Sequence, residues 1–128
     1  MISIPIPLGE LYDRISILEI KSVLISDKDK LSYVNDELQM LLGIRDEYLT
    51  ATGIHVPEML VQQLKSVNLS LWNIEDDLRK KEVAQDFGDD FIALARSVYC
   101  TNDLRYDTKS QITALDLLSH LPEQKSYA

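Results

Sequence analysis

An all-α fold, an antiparallel bundle of four main helices with a short extended N-terminal arm, is predicted by three observations. Apolar residues recur at spacings of three and four through most of the chain. Glycine is scarce and marks three apparent boundaries, Gly9, Gly53 and Gly88. No alternating run with turn chemistry argues for a sheet, and there is no internal repeat or low-complexity stretch. With 128 residues the chain suits one domain over 1–128, able to bury roughly two thirds of its unfolded surface without disulfides or a structural metal.

The first helix is expected from about Leu8 to Ile25. The preceding IPIP segment forces an extended entry over residues 1–7, and Pro7 suits the first helical turn. Ser26 or Asp27 then caps a second helix, Lys28 to Thr52, with the seam Leu31, Val34, Leu38, Leu41, Leu42, Arg45 and Leu49. Gly53 is placed to end it. Pro57 starts the third helix, which runs to about Ala84 with the stripe Leu60, Leu64, Val67, Leu71, Ile74 and Leu78. Asp89 or Asp90 caps a fourth, from about Phe91 to Leu118, and residues 119–128 read as a flexible tail.

Composition narrows the function. A formal net charge of -8, with basic residues interleaved among acids, argues against nucleic acid and against an anionic membrane surface. The N-terminal MISIPIPLG has neither a basic leader nor a long apolar run, and the single Cys100 has no partner for an internal bridge. A soluble cytoplasmic protein is expected. With no histidine positioned beside it, Cys100 reads as a buried structural thiol rather than a nucleophile. Ser16 and Ser97 lack any nucleophile-elbow context.

The charged residues that interrupt apolar stripes are the most informative. At about 100° per residue, Glu19 falls amid Leu8, Tyr12, Ile15 and Ser22. A second strip on the same helix, Ile17, Ile20 and Leu24, has Asp13 lodged within it, so this helix must be central or shared with another chain. The fourth helix changes from Phe91, Ala95 and Val98 to Asn102, Arg105 and Lys109 without changing direction. Glu75 and Arg79 interrupt the third. Two acids and two bases, Glu19, Glu75, Arg105 and Lys109, can therefore close a buried ion-pair network that fixes helix register.

The same residues support a second reading, an inter-helix pocket in which Arg105, Lys109 and Arg79 hold a carboxylate or phosphate and Asn102 and Tyr99 add hydrogen bonds. Trp72, at the flank of the third stripe, suits core packing or the wall of such a pocket. A third reading uses magnesium on carboxylates drawn from Glu10, Asp13, Glu75, Asp76 and Asp103, as in all-helical nucleotide pyrophosphohydrolases. Its spacing support is one Glu-x-x-Asp, which equally suits a helix N-terminus. His55 and His120 are not spaced for di-iron or zinc.

Three blocks, GELYDRISILEIK (9–21), LWNIEDDLRKKE (71–82) and FIALARSVYCTNDLRYDTKSQI (91–112), together resemble a family of small bacterial helical proteins, a domain of unknown function. Its members open with GEL, an aspartate, a basic residue, an isoleucine and ILEIK. Matching positions are Glu10, Asp13, Arg14, Glu19 and Lys21; then Trp72, Glu75, Asp76 and Arg79; then Arg96, Tyr99, Asn102, Asp103, Arg105 and Lys109. Tyr12 and the stretch Ser22 to Leu24 depart from the pattern. The resemblance implies a setting in bacterial envelope-sugar (glycosyltransferase) metabolism rather than a mechanism. The expected function is a noncatalytic interaction or accessory protein, a homodimer joined through its first helix, with another bacterial protein as the alternative partner and no resident cofactor. The alternative is an anion binder or a magnesium-dependent hydrolase.

Overall fold

The computed structural model describes the backbone of residues 1–120 and the side chains of residues 1–116. The described residues form four helices and no strand: α1, Leu8–Leu24; α2, Lys28–Thr52; α3, Glu58–Val83; and α4, Asp89–His120. Residues 1–7 form the expected arm outside regular secondary structure. Of the expected tail, Ser119 and His120 complete α4, and residues 121–128 lie outside the described residues.

Local chemistry sets the boundaries. Pro7 is the extended residue before α1, with φ -63 and ψ 152, so it precedes the helix instead of occupying its first turn. Its carbonyl accepts from the amides of Glu10 and Leu11. The Asp27 carboxylate accepts from the amides of Asp29 at 3.0 Å and Lys30 at 3.2 Å, satisfying first-turn donors of α2 that have no partner within the helix. Gly53 closes that helix at φ 70, a left-handed conformation a Cβ would penalise. Asp89 and Asp90 lie inside the first turn of α4 and do not cap it; the Gly88 carbonyl accepts from Ile92.

The predicted central position of α1 is observed. It packs against each of the other three helices, α3 packs along α4, and among the described residues α2 meets only α1 at backbone level. The core joins Leu8, Leu11, Tyr12, Ile15 and Leu18 of α1 to Leu38 of α2, Leu60 and Leu64 of α3, and Ile112 of α4. Across the edge of this core the Tyr48 hydroxyl donates to both carboxylate oxygens of Asp116 at 2.9 Å. α2 and α3 meet through side chains, Leu38 with Leu60 and Leu64, over the buried Tyr12 and Ile15 of α1. No described helix is long and apolar enough to cross a membrane.

Candidate functional site: a buried carboxylate and the groove beside it

The crossing of α1 with α4 is made possible by small residues. A Cβ on Gly9 would overlap the Lys109 carbonyl, so only glycine lets the two backbones approach this closely. Gly9, the second residue of α1, thus lies at the boundary its sequence position suggests and is also a contact residue. Its amide, one of the first-turn donors with no partner within α1, donates to Thr113 Oγ1 at 3.0 Å. Thr108 is fully buried nearby; its hydroxyl donates to the Leu104 carbonyl at 2.9 Å and accepts from Gln63 at 3.2 Å.

One turn along α1, Asp13 is 1% exposed and is the acid at the centre of the polar cluster. Arg105 grips it bidentately, Nε donating to Oδ1 at 2.9 Å and Nη2 donating to Oδ2. Asn68 Nδ2 donates to Asp13 Oδ1 at 2.9 Å and to Ser16 Oγ at 3.2 Å. Lys109 Nζ lies 3.7 Å from Asp13 and 2.6 Å from Glu10. Two acids and two bases therefore close a network, as expected, but the acids are Asp13 and Glu10. Among the described residues no buried side-chain nitrogen or oxygen lacks a hydrogen-bond partner.

Burial pushes the Asp13 carboxyl up, but the Arg105 and Asn68 hydrogen bonds and the charges of Arg105 and Lys109 together hold it below the ordinary carboxylate value. The hydrogen bond to Asp13 raises Arg105 in turn, against the opposing effect of burial. Asp13 is thus held toward its charged form, with both carboxylate oxygens engaged by hydrogen bonds.

Glu19 and Glu75 are not members of this network. Glu19 lies on the Tyr12 and Ile15 face the sequence assigns it, but it is only half-buried and pairs at 3.7 Å with a half-exposed Lys65 of α3. Glu75 is exposed on the wall of a groove of about 550 Å³ between the C-terminal half of α1 and the α3 and α4 helices. That groove also brings together Trp72, Asp76, Arg79, Asn102, Lys21 and the outer edge of Arg105. Four of the expected cluster residues, Glu75, Arg79, Asn102 and Arg105, therefore line one cavity. Lys109 is engaged by Glu10 and Asp13, and Tyr99 is 70% exposed away from the groove.

The magnesium set does not assemble. Glu10 and Asp13 share Lys109, Glu75 and Asp76 lie on the groove wall, and Asp103 is exposed; among the described residues no three acidic, histidine or cysteine side chains are grouped to hold a metal. Cys100 is exposed, not the buried thiol expected. Asn68, Ser16 and Thr108 were missed by sequence reasoning because small polar residues read as surface; their helical alignment with Leu64, Tyr12 and Ile112 was the available signal. Comparison with known proteins returns no matching family model, curated protein or solved structure.

Proposed function

We propose that this chain is a noncatalytic interaction or accessory protein of the bacterial cytoplasm that associates with a second copy of itself, in the setting of envelope-sugar metabolism. The setting rests on the block resemblance alone. One structural observation supports the interaction role: the arm residues Ile2 and Ile4 are 88% and 65% exposed, and with Ile6 they adjoin Met40 and Ile44 of α2 around one largely apolar groove of about 690 Å³. An apolar surface of this kind, rimmed by Arg14, Glu37 and Asp116, is the usual mark of an interaction site. The Asp13 network favours the same reading, since Lys109 is already neutralised by Glu10 and Asp13.

The surface differs from the one the sequence suggests. Ile20 is buried by the chain's own helices and Ile17 is half-buried, which leaves Leu24 as the exposed member of the second α1 strip. The arm and α2 therefore carry the association. Sedimentation equilibrium at high micromolar concentration is expected to show a dimer, and Ile4→Asp combined with Ile44→Asp a monomer of unchanged helicity. A monomeric parent chain rejects the proposal.

A further inference from the structure

We infer that the groove between the C-terminal half of α1 and the α3/α4 pair binds a small phosphorylated polyol, a sugar phosphate in chemical class, with Trp72 against the sugar ring and the phosphate among Lys21, Arg79 and Arg105. The site is separate from the apolar arm surface, and the two cavities share no lining residue. Its volume of about 550 Å³ is that of a small-molecule pocket.

Four charged side chains of both signs, on α1 and α3, line the groove. Lys21, Glu75, Asp76 and Arg79 converge on it, and among the described residues none of the four makes an ion pair, whereas Glu10, Glu19, Lys65, Lys81, Arg105 and Lys109 all do. Arg105 is held from behind. Asp13 fixes its Nε and Nη2, so the remaining guanidinium edge reaches the groove wall already oriented, and a ligand need not immobilise that side chain.

The mixture of signs selects the ligand. A bare phosphate would gain Lys21, Arg79 and Arg105 but would sit beside the carboxylates of Glu75 and Asp76, which repel it. A phosphate ester that also presents hydroxyl donors turns those carboxylates and the Asn102 amide into acceptors and partners. Half-buried Trp72 adds a flat apolar face for the carbon side of a sugar ring.

Trp72 is the only tryptophan in the chain, so its emission reports the groove without a label. The full chain is titrated with glucose 6-phosphate, glucose 1-phosphate and ribose 5-phosphate, and separately with inorganic phosphate. At least one sugar phosphate is expected to saturate the emission change, with inorganic phosphate weaker by about tenfold or more. Lys21→Ala combined with Arg79→Ala should weaken the sugar phosphate by about tenfold or more while leaving the melting curve in place, since neither residue makes an ion pair that folding depends on. Absence of saturation by all three sugar phosphates overturns the proposal. So does equal affinity for inorganic phosphate, or a double variant that titrates like the parent.

Discussion

The two halves of α1 meet the same pair of helices and do opposite things. At its N-terminal half, Gly9 and Ser16 face Thr108 and Thr113 of α4 and Asn68 of α3, and the close approach of the backbones leaves room only for Asp13 and the guanidinium of Arg105. At its C-terminal half, Ile17, Ile20 and Lys21 line a groove together with Leu71, Trp72 and Arg79. Charge is thus sealed at one half of the helix, where Gly9 permits close approach, and stays accessible along the other. Arg105 joins the two regions, one edge on Asp13 and the other in the groove.

The largest effect is expected where the sealed half is broken. Arg105→Met strands a carboxylate that is 1% exposed, and removing one partner of such a pair costs roughly 3 to 5 kcal/mol. Asp13→Ala should cost less, because the freed Arg105 can turn into the groove and remain hydrated. Urea unfolding measures both. The pH dependence follows from the lowered Asp13 carboxyl: its contribution is fully present above the unfolded value of about 3.9 and is lost as pH falls through the folded value. In Arg105→Met the stranded carboxyl loses that support, and burial favours its protonated form. The stability gap between parent and variant should therefore narrow as pH falls, first above about pH 4 as the variant's carboxyl takes up its proton and then below it as the parent's does; a gap constant with pH would place the Arg105 contribution outside the ion pair.

A smaller effect is expected at the crossing itself. Gly9→Ala puts a Cβ against the Lys109 carbonyl, which is backbone and cannot swing aside. The helices must separate, at a cost of about 1 to 3 kcal/mol for overpacking, offset only slightly by the better helix propensity of alanine. The same substitution at Gly43, which has open space around it, should stabilise α2 by up to about 1 kcal/mol. Thermal unfolding of the two variants distinguishes a glycine required by packing from one that is not.

Much of this arrangement is legible in the sequence. The four helices, the Asp27 cap, the Gly53 stop and the central position of α1 follow from periodicity and local chemistry. The existence of an internal ion-pair network is legible too, as is the part of Arg105 in it. Which acid completes it is not. Asp13 stands out as a charge within an apolar strip, but so does Glu19. The two differ in what covers them: α4 and α3 close over Asp13, whereas Glu19 stays half-exposed beside Lys65. On α4 the buried residues are Thr108 and Ile112, while Ala95 and Asn102 of the expected stripe are exposed. Threonine hides this rotation, because a hydroxyl that donates to its own helix, as Thr108 does to Leu104, can be buried without appearing apolar.

The smallest expected effect tests the boundary between the two regions most sharply. Glu75 and Asp13 both lie near Arg105 in space, one on the groove wall and one sealed beneath it. Glu75→Gln should change stability by no more than about 0.5 kcal/mol, because an exposed carboxylate with no ion pair loses nothing that folding requires. Combined with Arg105→Met it should be additive within about 0.5 kcal/mol. Asp13→Leu behaves differently in the same cycle. Replacing both members of the buried pair by apolar side chains removes the stranded charge, so Asp13→Leu with Arg105→Met should recover much of the single-variant loss, a coupling on the order of 1 to 3 kcal/mol. Coupling of that size at Glu75 and additivity at Asp13 would reverse the assignment: the groove acid would then be the structural partner of Arg105, and the buried acid a bystander.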